Sequence, residues 1–218
     1  MIETMKINRF RASVLIIIGC MAAVVAVKYA SDKGGSFGRT ISSGNPRSVG
    51  RADAPIRIVE YIDFQCGACQ QASFLLKEYV RKFPSRILLD VKLYPLAGHA
   101  HGMAASAAAV CAADQGRFWP VYDMLFERQA EWSPLANPQP VFQDIARTAG
   151  LDTGKFQDCL ADPRTRSRIE EEKTQGYGAG VRSTPSFFIN GQMVVGSVNL
   201  TKELDKHFGD EAIKPKGP

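Results

Sequence analysis

The 218-residue chain is 45% hydrophobic and 22% charged, the make-up of a globular protein able to bury a sizeable core. Its net charge of +5 is spread along the chain, and no Lys/Arg cluster interleaves with aromatics, which argues against nucleic acid as a partner. Of the five cysteines, Cys20 lies in an apolar N-terminal run; the other four are an even number, which in an exported protein favours disulfides over free thiols.

Residues 6–11 include Lys6, Arg9 and Arg11, and residues 12–27, ASVLIIIGCMAAVVAV, carry no charge. A basic flank before an apolar run is the pattern of an export signal. The run falls short of the roughly 20 residues of a membrane helix, but Lys28 can snorkel and Tyr29 and Ala30 extend the span. Residues 1–30 are therefore expected to be a signal peptide or an uncleaved signal anchor. The poor cleavage site Lys28-Tyr29-Ala30 favours the anchor. The basic flank would stay in the cytoplasm, with the rest facing the periplasm and anchored by residues 12–30. The run stays apolar after Cys20, which argues against a lipoprotein. Residues 31–50, rich in Gly and Ser, read as a flexible linker, and residues 209–218 as a disordered tail.

The segment 51–208 reads as one α/β domain. Ile56–Ile62 is β-branched and compact, a buried strand. Gln65-Cys66-Gly67 is the turn out of it. Cys69–Phe83 is a helix, with Phe74, Leu75, Tyr79 and Phe83 at helical spacing and Pro84 at its end. Arg86–Tyr94 is the next strand, so strand, CxxC, helix and strand suggest a parallel unit. Helices follow over about 99–113 and around Phe118–Phe126, then a loop from Ser133 to Pro140. Short helices over Val141–Ala149 and Thr153–Leu160 come next, and one is capped by Asp162-Pro163. This helical insertion covers about 97–178. Asn190-Gly191 joins two apolar runs as a hairpin, and residues 200–208 form a last helix.

Two thiols separated by two residues at a helix start lie close enough to close a disulfide. Cys66 sits where unpaired N–H groups and the helix dipole favour a thiolate. Cys69 is a turn further in and should be more buried. These positions make Cys66 the nucleophile and leaving group, and Cys69 the resolving thiol. A zinc site would need two more ligands, and Cys111 and Cys159 are isolated, so no metal and no cofactor are expected. A purely structural bridge over so short a spacing would restrict the unfolded chain little.

The blocks Ala54-Pro55-Ile56, Val59-Glu60-Tyr61-Ile62-Asp63-Phe64-Gln65-Cys66-Gly67-Ala68-Cys69, Tyr94-Pro95-Leu96-Ala97-Gly98-His99, Cys111 to Trp119, Gly150-Leu151-Asp152 and Val181 to Gly191 recur in order. In this arrangement the chain resembles the DsbA-like branch of the thioredoxin superfamily from about Val49 to Phe208. The resemblance implies a thioredoxin fold with an inserted helical subdomain and an envelope thiol:disulfide oxidoreductase activity, with oxidation favoured over reduction or isomerisation. It implies that Pro185 is a cis-proline facing the redox pair, and that Thr184 offers backbone groups to an extended substrate. Glu60 would be the buried acid that relays a proton for Cys69. Cys111 and Cys159 would pair as a structural disulfide, with two buried free thiols as the alternative. His99 matches a family histidine after Pro95-Leu96; a helix N-terminal packing role is the favoured reading, with a place near the active-site side as the alternative. Gly67-Ala68 departs from strongly oxidising members, which carry a histidine beside the second cysteine. The implied partners are reduced or misoxidised exported proteins and a recycling redox partner such as a membrane quinone-linked thiol oxidase, with the chain a monomer. A rival from another class is a non-catalytic anchored module, a thiol metal-carrier or holdase.

Overall fold

The structure is a computed structural model that describes residues 45–213. The export signal or anchor, most of the linker and residues 214–218 of the expected tail lie outside the described residues. Among the described residues no helix is long and apolar enough to cross a membrane.

Five strands form one mixed sheet: β1 (Ser48–Gly50), β2 (Ile56–Ile62), β3 (Ile87–Leu93), β4 (Ser186–Ile189) and β5 (Gln192–Val195), in the order β1-β3-β2-β4-β5. β2 and β3 run parallel, with Ile56 opposite Ile87 and Ile62 opposite Leu93. A parallel pair needs a crossover, and helix α1 (Gly67–Lys82) supplies it. The other three pairings are antiparallel. Asn190 and Gly191 have φ of 48° and 84°, the positive values that a two-residue hairpin between β4 and β5 requires.

Strand alternation decides what β2 presents to each side. Ile56, Ile58, Glu60 and Ile62 share one face, and the three isoleucines belong to the main core with Cys69 and Leu76 of α1. Glu60 is thereby driven into that core. On the opposite face Tyr61 packs with Tyr94 and Val181. There Gly176 meets the Tyr61 ring, where a side chain would collide with it.

The expected α/β thioredoxin-like fold is observed, with helices α2 (Gly102–Asp114), α3 (Phe118–Glu127), α4 (Gln129–Trp132), α5 (Gln139–Thr148), α6 (Thr153–Ala161) and α7 (Pro163–Gly178) between β3 and β4. Helix α8 (Ser197–Phe208) follows β5. α2 is alanine-rich, and its small side chains let α3, α6 and α7 all approach it. Asp152 and Asp162 cap α6 and α7 by accepting from the first free N–H groups, and Pro163 opens α7.

Four sequence expectations are corrected. The linker does not run to residue 50, because Ser48–Gly50 pairs with β3 as an edge strand. Val49 is buried there, and Arg47 pairs with Glu172 of α7, whose carboxylate also accepts from Leu93 N–H at 2.8 Å. The tail does not fray at residue 209: Gly209–Glu211 forms a 3₁₀ turn, Lys82 Nζ donates to Glu211 O at 2.8 Å and Ile213 N–H to Tyr79 Oη at 2.9 Å. Phe74 is 43% exposed, because the buried stripe of α1 is Cys69, Ala72, Ser73, Leu76, Tyr79 and Val80. The last helix starts at Ser197 rather than residue 200, and the short helix α4 falls where no periodic signal exists.

Candidate active site

α1 begins immediately after Cys66, whose extended backbone (φ −81°, ψ 119°) makes it the N-cap. Its sulfur therefore stands where helix N–H groups lack intrahelical partners. Cys66 is half-buried and Cys69, one turn on, is fully buried; both are free thiols. The Cys69 side chain, followed by the backbone N–H groups of Cys69 and Ala68, holds the Cys66 thiol at about 5, against the opposing effect of partial burial. Burial first, and then the neighbouring Cys66, push the Cys69 thiol well above its ordinary value. The two sulfurs are thus electronically opposite.

Thr184 and Pro185 face this pair, joined by a cis peptide bond. In its thiol form Cys66 Sγ donates to Thr184 O at 3.4 Å, and the Thr184 side chain is among the groups that favour the Cys66 thiolate. Glu60 is completely buried, and burial pushes its carboxyl up to about 8. Tyr122 Oη of α3 donates to Glu60 Oε2 at 3.3 Å, and Glu60 Oε1 has no partner among the described residues. Burial first, and then the proximity of Glu60, Asp123 and Cys69, push the Tyr122 phenol well above its ordinary value, so the acid and the buried thiol share one neighbourhood.

Three contributors escaped the sequence reading. Asp63 is fully buried just past β2 and bonds His99 Nδ1 at 2.7 Å, so His99 is a partner of the redox turn and not a helix packing residue. A carboxylate within an apolar run immediately before CxxC was the available signal. Gln129 Nε2 donates to Phe64 O at 2.7 Å and to Cys66 O at 3.2 Å, clamping the turn from α4. Tyr122 is the third. Nothing in the local sequence marks Gln129 or Tyr122, since each reaches the site across more than sixty positions.

Cys111 of α2 and Cys159 of α6 are joined, with S–S 2.02 Å and Cα–Cα 5.7 Å. Among the described residues no group of three or more His, Cys, Asp or Glu side chains is arranged to hold a metal ion.

A family model described as thioredoxin matches residues 42–206, well over half of the chain. The chain belongs to the thioredoxin family. Among solved thioredoxin-like structures it is similar to alpha-DsbA1 of Wolbachia pipientis, with a TM-score of 0.64, 22% identity and coverage of 76% of this chain and 92% of that one. It is also similar to oxidised BdbD of Bacillus subtilis, with a TM-score of 0.63, 18% identity and coverage of 73% and 91%. These likenesses show that this thioredoxin-family chain has the fold of DsbA proteins. The probable disulfide bond formation protein D of Bacillus anthracis is 24% identical over 91% of this chain and 93% of that protein. The Na(+)/H(+) antiporter NhaA 1 of Salinispora arenicola is 33% identical over 77% of this chain but only 25% of that protein. The chain spans about a quarter of the length of the antiporter relatives it matches.

Proposed function

We propose that this chain is a thiol:disulfide oxidoreductase that oxidises exported proteins in the bacterial envelope through Cys66 and Cys69. One observation carries the proposal: two free thiols a turn apart, Cys66 half-buried at the N-cap of α1 and Cys69 sealed in the core, facing the cis Thr184-Pro185 bond, an arrangement that lowers the Cys66 thiol and raises that of Cys69. A stabilised Cys66 thiolate favours the reduced form of the pair, so the disulfide form is an oxidant. That supports oxidation over reduction or isomerisation at the same site, even without a histidine between the cysteines.

In the disulfide form, a substrate thiolate attacks Cys66 Sγ. The Cys66–Cys69 bond breaks, and Cys69 leaves and takes a proton. Glu60, protonated up to about pH 8, is the donor within the core. A second substrate thiolate then attacks the substrate sulfur of the mixed disulfide and expels Cys66 as a thiolate. Two electrons have moved from the substrate dithiol to the pair, and a quinone-linked thiol oxidase in the membrane would remove them. Thr184 and Pro185 present main-chain groups to an extended substrate beside the Cys66 sulfur. The Cys111–Cys159 bridge has a structural role. Residues 12–30 are proposed to keep the domain at the membrane, facing outward.

The test is catalytic. The oxidised protein should speed disulfide formation in a reduced, unfolded dithiol protein, and Cys66→Ser should abolish this. Unchanged activity in Cys66→Ser, or no acceleration by the wild type, refutes the proposal.

A further inference from the structure

Besides Gln129, a buried carboxylate fastens the turn that carries Cys66. Asp63 Oδ1 accepts from Gln65 N–H at 2.8 Å, closing its own turn. Oδ2 accepts from Leu96 N–H at 2.8 Å and pairs with His99 Nδ1 at 2.7 Å, tying that turn to the segment after β3. The main chain of Asp63 meanwhile touches both redox residues. Its carbonyl accepts from Cys66 N–H at 3.0 Å, and its N–H donates to Cys69 Sγ at 3.5 Å. Gln65 Oε1 adds a second tie by accepting from His101 N–H at 2.7 Å. Gly102 leaves the carboxylate its room, since a Cβ there would lie 2.8 Å from both oxygens.

Burying a carboxylate is costly unless its bonds are complete. Closing the turn needs one oxygen, and a neutral Asn or Ser does that elsewhere. The second oxygen serves only to hold the redox turn against the 94–101 segment, through a histidine whose ring is 29% exposed.

We propose that Asp63, held by His99, is a positioning residue of the redox pair. It fixes the main chain between Cys66 and Cys69 and so sets how strongly the Cys66 thiolate is stabilised. The inference rests on the thiol-exchange reading of this pair. Two influences of Asp63 oppose each other. As a buried anion it disfavours a thiolate nearby; as a positioner it favours one, by keeping the Cys66 sulfur within reach of the helix N–H groups and Cys69. Positioning outweighs repulsion here, because His99 faces the carboxylate and two backbone N–H groups bond it.

The experiment compares wild type, Asp63→Asn, His99→Leu and His99→Asn. It reads the thiolate absorbance of the reduced protein near 240 nm across pH, and the equilibrium of the pair with glutathione. An amide at 63 turns its NH₂ towards either Gln65 N–H or Leu96 N–H, so one of those bonds is lost. Asp63→Asn and His99→Leu should raise the thiolate midpoint by about one unit, a tenfold loss of thiolate below it, and move the glutathione equilibrium towards the disulfide form. His99→Asn places a donor close to where Nδ1 stands and should restore both readings to within about twofold of wild type. Folded variants that titrate like wild type, or whose midpoint falls, overturn the proposal. Should Asp63→Asn not fold, His99→Leu, which removes one bond from a partly exposed ring, decides alone. A wild type that catalyses no thiol–disulfide exchange defeats the redox reading itself, a different failure from unchanged variants.

Discussion

Glu60 and Cys66 titrate in opposite senses on folding, and this has a measurable consequence. Glu60 is raised from 4.5 to about 8, so its contribution to stability is whole below 4.5 and is lost as pH rises to about 8. Cys66 is lowered from 9.0 to about 5, so its contribution is present above 9.0 and lost as pH falls to about 5. In the reduced protein the two slopes oppose. In the disulfide form Cys66 no longer titrates, and the Glu60 slope stands alone. The oxidised protein should therefore lose stability steadily from pH 5 to 8, while the reduced protein stays flatter; urea unfolding of both forms checks this. Glu60→Gln should flatten the oxidised curve and raise stability at pH 8 by at least about 1 kcal/mol. The cysteine pair was legible from local CxxC spacing, whereas Glu60 was singled out through the family resemblance. Strand alternation even explains Glu60's burial, since it shares a face with Ile58 and Ile62. Asp63 is marked in the sequence only by standing just before CxxC, whereas nothing local marks Tyr122 and Gln129, whose role comes from a partner far along the chain.

At the scale of elements, the packing is set where glycine permits close approach. Gly50 ends β1 with φ +107°, and a Cβ there would stand 2.0 Å from Ile87 O. Gly50→Ala should detach the edge strand and lower stability by about 2 kcal/mol, read as a lower urea midpoint. Gly176 lets α7 lie on the sheet; its Cβ would stand 2.7 Å from a Tyr61 ring carbon. Gly176→Ala should cost about 1–3 kcal/mol by the same measurement. β2, β3, the Asn190-Gly191 hairpin and the α7 cap were readable from local pattern and turn chemistry. β1 was not, because three residues in a Gly- and Ser-rich stretch gain their order only from pairing with β3 and from Arg47 reaching Glu172. Phe74 stands at helical spacing with Tyr79 and Phe83, yet it faces outward, because the stripe that α1 buries runs through Cys69, Ala72, Ser73, Leu76, Tyr79 and Val80.

Across the whole molecule the cysteines are divided by accessibility. Cys111 and Cys159 are bonded to each other across 48 positions, Cys69 is sealed in the core, and Cys66 alone of these four is both free and reachable. In the chain-entropy picture a loop of 48 residues stabilises by about 4 kcal/mol, so the Cys111→Ala, Cys159→Ala double variant should lose about that much on urea unfolding. Its Cys66 should keep the same thiolate titration. Among the described residues this division of labour presents one nucleophilic sulfur. Alkylation of the reduced protein by iodoacetamide, followed across pH and mapped by peptide mass, tests it. Label should appear on Cys66 ahead of Cys69, Cys111 and Cys159, with a rate rising through a midpoint near 5. Label appearing first on Cys69, or a Cys66 rate that rises only near pH 9, would contradict it.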